Sequence, residues 1–468
     1  MCAVGQVMAK SIDTLSDDVL LEIFYFCSIE DVYIKREIEA WQSLVHVCKR
    51  WRTVVFESPR RLNLRLYCAT ERQKRVRDML DIWPALLLII EGRTDRPEEL
   101  DNTTAVLERS NRVCHINLRD VSASLLEDVL AAMQKPFPEL TFLSLQPSKE
   151  IQTAVIPDSF LGGSAPRLQV LWLASIPFPG IPKLLSSATH LQRLYLTDIP
   201  YPEYFTLKAM VTVLSTLTSL RSLNLEFHSP RSVPRRRPPP IMTRTVLPDL
   251  KVLTFKGVSE YLEHIVAHID APQLYYFDIT FFNQVVFDTP QTNQFVEGIL
   301  SLKAFNVATL SLGSDTACCR LSSKTRERIN VNIACREFDW QISSLEQVCN
   351  SSFPPLPALE ELYIYEGPFS MPEWKDNIEN ALWLELLQPF SAVKILYISR
   401  NFALRIAPAL QEVVGTTAAE VLPALQIIFL EGLGESGPDQ EGIVEFVTSR
   451  QLSGHPIAVS LWVRPNLD

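Results

Sequence analysis

Two histidines four residues apart, His264 and His268, are the first side chains in this sequence that could do chemistry together. On a helix that spacing puts both imidazoles on one face, as two metal ligands require. The pattern stops there. No Glu follows the first His in the manner of HExxH, and no third ligand is evident. Cys318-Cys319 and Cys335 lack metal-ligand spacing. The chain has no GxSxG elbow and no GxxxxGK[ST] phosphate loop. Asp and Glu are numerous, but sequence alone pairs no two of them as acid and base. The expectation is a binding protein that is not an enzyme, with no catalytic residue, no metal and no cofactor.

Composition narrows what it binds. Of 468 residues, 47% are hydrophobic and 21% charged, a globular balance. The net charge of −10 disfavours nucleic acid, which needs clustered Lys and Arg. No apolar run approaches the roughly 20 residues of a membrane-spanning helix, and MCAVGQVMAK lacks the apolar core of a signal peptide. The nine scattered Cys read as reduced thiols, which predicts a cytoplasmic or nuclear location. The length admits two or three domains, or one domain and a repeat array.

The elements that must present a binding surface begin at Ile12. Leu20, Ile23, Phe24 and Cys27 stand at i, i+3, i+4 and i+7, one face of a helix. Ser16 stands where an N-cap belongs, and Asp17 and Asp18 fill the first turn, where the helix dipole favours carboxylates. Trp41, Leu44, Cys48, Trp51 and Val55 predict one further helix, limited by Pro59. A unit of about fifty residues is marginal alone, so part of its apolar surface should dock elsewhere.

The runs Leu15-Ser16-Asp17-Asp18, Leu20-Leu21-Glu22-Ile23-Phe24 and Val47-Cys48-Lys49-Arg50-Trp51-Arg52 resemble an F-box. That family's pattern opens Leu-Pro-x-Glu and closes Val-Cys-x-x-Trp-Arg. Ser16 replaces the usual Pro, and the stretch from Ser28 to Glu39 is longer than the usual link. The insert, with EAWQSLVHVCKRW behind it, looks like the F-box group of mushroom-forming fungi. The resemblance implies that Leu15, Leu20, Ile23, Phe24, Leu44, Val47, Cys48 and Trp51 bind a Skp-family adaptor, and through it a cullin.

From Arg112 onward one pattern recurs, apolar-x-x-apolar-x-apolar. It runs from Val113-Ile116-Leu118 through Leu168-Leu171-Leu173 and Leu250-Leu253-Phe255 to Leu425-Ile428-Leu430. Successive starts are 23 to 34 residues apart, except one interval of 52 between Val307 and Leu359, where Ile329-Val331-Ile333 alternates as a missing strand should. Pro138, Pro166, Pro248, Pro272, Pro357 and Pro423 precede six units by two residues. Helical spacing fills several gaps, as in 125–133, 207–217, 261–269, 378–387 and 443–447. A strand and a helix cannot bury their own apolar faces, so neighbours must stack. These units resemble the leucine-rich repeat, without the Asn or Cys that regularly follows the last apolar position.

The expected fold class is therefore α/β: a small N-terminal helical F-box, then an irregular leucine-rich-repeat-like solenoid. The expected boundaries are a tail at 1–11, the F-box at 12–60, a linker and cap at 61–111 whose Trp83 turn packs on the first repeat, and the array at 112–468. The stretch Ser229 to Thr245, SPRSVPRRRPPPIMTRT, reads as a flexible loop from one repeat (229–246). Residues between the buried strand positions should line an open face. Trp172, Tyr195, Tyr276, Tyr363, Tyr365, Tyr397 and Phe429 are its aromatic members, and aromatics dominate many protein interfaces. The F-box resemblance implies a substrate-recognition subunit of a Skp–cullin–F-box E3 ubiquitin ligase, with an unknown target protein held by the array. The rival is a repeat scaffold whose N-terminal helices only cap the array.

Overall fold

The computed structural model describes residues 12–28, 40–59, 61–62, 64–69, 76–83, 86–93, 97–148, 154–179, 181–200, 207–228, 244–283, 287–299, 305–323, 328–353, 356–367, 379–412, 421–431 and 441–463. The tail at 1–11, the insert at 29–39 and most of the Arg- and Pro-rich loop lie outside them. The chain divides into two compact units, Met1–Ala188 and Thr189–Asp468.

The first unit opens with three helices, α1 (Asp17–Ser28), α2 (Ala40–Val45) and α3 (Lys49–Glu57). Ser16 caps α1: its Oγ accepts from Val19 N and its carbonyl from Leu20 N. The single helix expected over Trp41 to Val55 is two. His46 N and Val47 N donate to the carbonyls of Ser43 and Leu44, closing α2 with a tight turn. Cys48 is then extended (φ −156°, ψ 169°), and its Sγ accepts from Trp51 N at 3.4 Å, so Cys48 caps α3 instead of lying inside a helix. Arg50 fastens α3 to the entry of α1, donating to Leu15 O at 2.6 Å and Asp17 Oδ1 at 2.6 Å. Phe24 packs on Trp51 with ring centres 4.8 Å apart. Trp41 Nε1 donates to Arg65 O at 2.9 Å, and Trp41 and Phe56 enclose Trp83 at 5.1 and 5.9 Å. Trp83, in the turn expected to pack on the first repeat, packs on these helices.

Five parallel strands follow in sequence order: β1 (Arg65–Ala69), β2 (Leu87–Arg93), β3 (Val113–Val121), β4 (Phe142–Pro147) and β5 (Val170–Ala174). The repeating sheet thus starts at Arg65, inside the stretch expected to be linker. The run Leu86–Ile90 is apolar on both faces, and so hid the alternation that marks the later strands.

The recurrent Pro has a local cause. Leu140, Leu168, Leu250, Leu274, Leu359 and Leu425 each donate their N–H to the carbonyl three residues back, and the Pro is the second residue of that turn. Its fixed φ pre-sets the turn, which ends a connection and aims the next strand. Ladders of backbone bonds join successive turns, such as Thr141 N to Cys114 O and Gln169 N to Thr141 O. Where leucine-rich repeats have Asn or Cys, three strands of this chain end in a left-handed residue: Asp120 (φ 52°), Ser175 (φ 56°) and Asp198 (φ 50°), each two after the last apolar position. Asp tolerates that conformation better than most residues.

The second unit holds β6 (Arg193–Ile199), β7 (Ser222–Phe227), β8 (Thr245–Val246), β9 (Val252–Gly257), β10 (Ile269–Asp270), β11 (Tyr276–Phe282), β12 (Val307–Leu312), β13 (Thr316–Ser322), β14 (Arg328–Ala334), β15 (Glu361–Glu366), β16 (Ile395–Ile398), β17 (Ile427–Glu431) and β18 (Ala458–Trp462). β8 and β10 pair separately. The rest run in the order 6-7-9-11-14-13-12-15-16-17-18. The 52-residue interval is therefore not a plain missing repeat. β12, β13 and β14 form an antiparallel meander inserted in reverse, with β14 beside β11 and β12 beside β15. Gly313 to Asp315 is too short a link for a parallel crossover, so β13 must run back. Elsewhere the apolar triplets align in register, as in Leu223 with Leu253 and Leu362 with Leu396. On β12 they slip by two: Leu310 lies beside Ile364, and Ser311 beside Tyr365.

Candidate interaction surfaces

On the N-terminal helices the structure separates the eight residues expected to bind an adaptor. Leu20 and Phe24 are buried among the helices themselves, so they build the support and do not present a surface. Leu15, Leu44 and Trp51 are half-buried. Ile23 (37% exposed), Val47 (59%) and Cys48 are open. Two further residues belong with them. Val19 and Phe26 (74% exposed) stand four before and three after Ile23, forming a second apolar line along α1. The spacing was visible in the sequence, but the Leu20 line overlaps it, and only packing tells the filled line from the open one.

In the first unit, the sheet face opposite the apolar core carries Tyr67, Glu91, His115, Asn117, Phe142, Ser144 and Trp172. Ser144 is buried, and Trp172 is 36% exposed. Tyr67 Oη and Asn117 Nδ2 both donate to the Glu91 carboxylate, at 3.0 and 3.3 Å. His115 stacks on Phe142 with ring centres 4.1 Å apart and 7° between planes. Burial, aided by nearby Arg65, pushes the imidazole down to about 4.

In the second unit Tyr195 is half-buried. Tyr276 joins a polar network: it donates to Asp278 at 2.8 Å, Asn332 donates to Asp278 at 3.0 Å, and Arg320 donates to Asn330 at 3.1 Å. Burial and the Asp278 hydrogen bond push the Tyr276 phenol up to about 12. Tyr363, Tyr397 and Phe429 lie in register on β15, β16 and β17. They stack as a ladder, with centres 4.1 and 4.7 Å apart and planes within 1° and 7° of parallel. Trp462 stands tilted against it, 5.5 Å from Tyr397 and 6.0 Å from Tyr363. Tyr363 donates to Glu361 at 3.0 Å; burial first, then that bond, raises its pKa. Tyr365, expected on the accessible surface, is buried. The strand that carries Trp462 lacks the Leu-rich triplet, so the sequence gives no repeat signal there.

His264 and His268 stack on one helix with centres 4.6 Å apart, and His268 Nδ1 lies 2.7 Å from the His264 carbonyl. Among the described residues no group of three or more His, Cys, Asp or Glu could hold a metal ion. Burial pushes the Cys318 thiol up to about 11, away from the reactive thiolate. The chain also spells Gly-Leu-Gly-Glu-Ser-Gly, Gly432 to Gly437, between β17 and the helix Glu441–Leu452. That is the spacing of a dinucleotide-binding turn. Its glycines lie outside the described residues, and no Asp or Glu stands between Phe446 and Leu467, where the ribose partner belongs. No helix among the described residues is long and apolar enough to cross a membrane.

No protein-family model matches this sequence, and no curated protein matches it. Among solved structures, the leucine-rich repeat-containing protein LegL7 from Legionella pneumophila is similar over 82% of this chain and 97% of that one, at 11% identity and a TM-score of 0.28. A score that low carries no argument; the strand order and registers above stand on their own.

Proposed function

We propose that this chain is a protein-binding repeat scaffold that serves as a receptor in a Skp–cullin–F-box ubiquitin ligase, with a Skp-family adaptor on its N-terminal helices and a target protein on its sheet face. One observation supports the adaptor half most. α1 fills its own core with Leu20 and Phe24, yet keeps Val19, Ile23 and Phe26 exposed, as is Val47 just before α3. The Val-Cys-x-x-Trp-Arg run has a structural role that fits the resemblance: Cys48 caps α3, Trp51 packs on Phe24, and Arg52 Nε donates to Val45 O at 3.0 Å. In this reading the chain supplies geometry. Other subunits carry ubiquitin, and holding the target near them provides the rate. The compartment would be cytosol or nucleus.

The test is co-purification of the adaptor with the full chain. Ile23→Asp with Val47→Asp should cut captured adaptor more than tenfold while the far-ultraviolet spectrum stays unchanged, because both side chains are exposed. Equal capture by wild type and variant sinks the adaptor half. The rival, a cap without an adaptor, is favoured by the Trp41–Phe56–Trp83 cluster and the Trp41 to Arg65 bond, which already dock α2 and α3 on the unit. It predicts no adaptor in either preparation.

A further inference from the structure

The Tyr363–Tyr397–Phe429 ladder stops one place early. On the next strand the residue in register with Phe429 is Ser460, which is small and exposed. Neighbouring strands are about 4.8 Å apart, close to the spacing within the ladder, so Ser460 leaves room for one more planar group against the outer face of Phe429. Glu431 stands two residues beyond Phe429 on the same face, beside Trp462, with no hydrogen bond or ion pair among the described residues. Across β15 to β18 this face carries two carboxylates, Glu361 and Glu431, and no Lys or Arg.

We infer that this gap is a docking slot for an arginine side chain of a target peptide. The guanidinium would lie flat on Phe429 over Ser460 and donate to Glu431. A planar cation satisfies both halves of the site, the π-face and the uncompensated carboxylate. Lysine offers charge without a stacking plane, and an aromatic residue offers a plane without charge. The inference deepens the target-binding half of the proposed function and rests on it, independently of the adaptor half.

The test uses the full chain and four blocked nine-residue Gly/Ser peptides with a central Arg, citrulline, Lys or Tyr, titrated by calorimetry. The Arg peptide should bind about tenfold more tightly than the other three. Glu431→Gln should remove most of that preference. Ser460→Tyr should fill the slot and abolish Arg binding while leaving the thermal midpoint at or above wild type, since the site is exposed and the new ring extends the stack. Equal affinity for Arg and citrulline, preference for Tyr, or undiminished Arg binding by Ser460→Tyr would each overturn the slot. Adaptor capture, scored on the same preparations, reports on the N-terminal helices alone, so loss of one result leaves the other standing.

Discussion

His115 is held neutral by its surroundings, and that has a measurable cost. Its folded pKa is about 4 against an unfolded value near 6.5. Above about pH 6.5 both states are neutral and the group contributes no pH dependence. Between 6.5 and 4 the unfolded chain takes up the proton first, so stability falls as pH falls. The expected loss from this one group is about 2 kcal/mol between pH 7.5 and 5. Chemical denaturation at the two pH values should show it, and His115→Phe, which keeps the stack on Phe142, should flatten that difference. An unchanged pH dependence in the variant would mean that the imidazole is not buried as described. Cys48 is a second case: its Sγ accepts from the first turn of α3, so Cys48→Ala should cost about 0.5–2 kcal/mol and Cys48→Ser much less.

At the scale of elements, the Pro-marked turn offers a stabilising change. Leu217-Thr218-Ser219-Leu220 closes with the same bond, Leu220 N to Leu217 O, but has Thr where other units have Pro. Thr218 is exposed, so Thr218→Pro should raise stability by about 0.4–1 kcal/mol by restricting the unfolded chain. A lower melting midpoint would show that this turn differs from its neighbours. Glycines give a matched pair. A Cβ on Gly442 would lie 2.9 Å from the Ala407 carbonyl oxygen, where the helix Glu441–Leu452 crosses Arg400–Glu412. Gly442→Ala should therefore cost about 1–3 kcal/mol. Gly298 meets nothing within 4 Å, and Gly298→Ala should gain about 0.5–1 kcal/mol from helix propensity. Comparing the two by denaturant melts separates backbone crowding from propensity.

At the scale of the whole molecule, the net charge of −10 acts on any basic partner before contact. Association of the Arg-bearing peptide should slow several-fold between 0.05 and 0.5 M salt, with a smaller change in dissociation. Stopped-flow rates that ignore salt would put recognition on stacking alone. The sequence by itself determined the repeat: Leu residues at fixed spacing must be buried by stacking on neighbouring units, and a Pro two places earlier pre-sets the turn that aims each strand. It also determined the cap at Ser16 and most strand registers, because alternation leaves one face to bury. Three things were decided by tertiary structure. Leu20 and Ile23 are equally apolar, and only the packing of α2 and α3 buried one and left the other open. The reversal at β12 to β14 follows from a three-residue link that local periodicity does not register. The slot beside Phe429 exists because pairing sets Ser460 next to a three-ring ladder, a juxtaposition made by strands more than thirty residues apart in sequence.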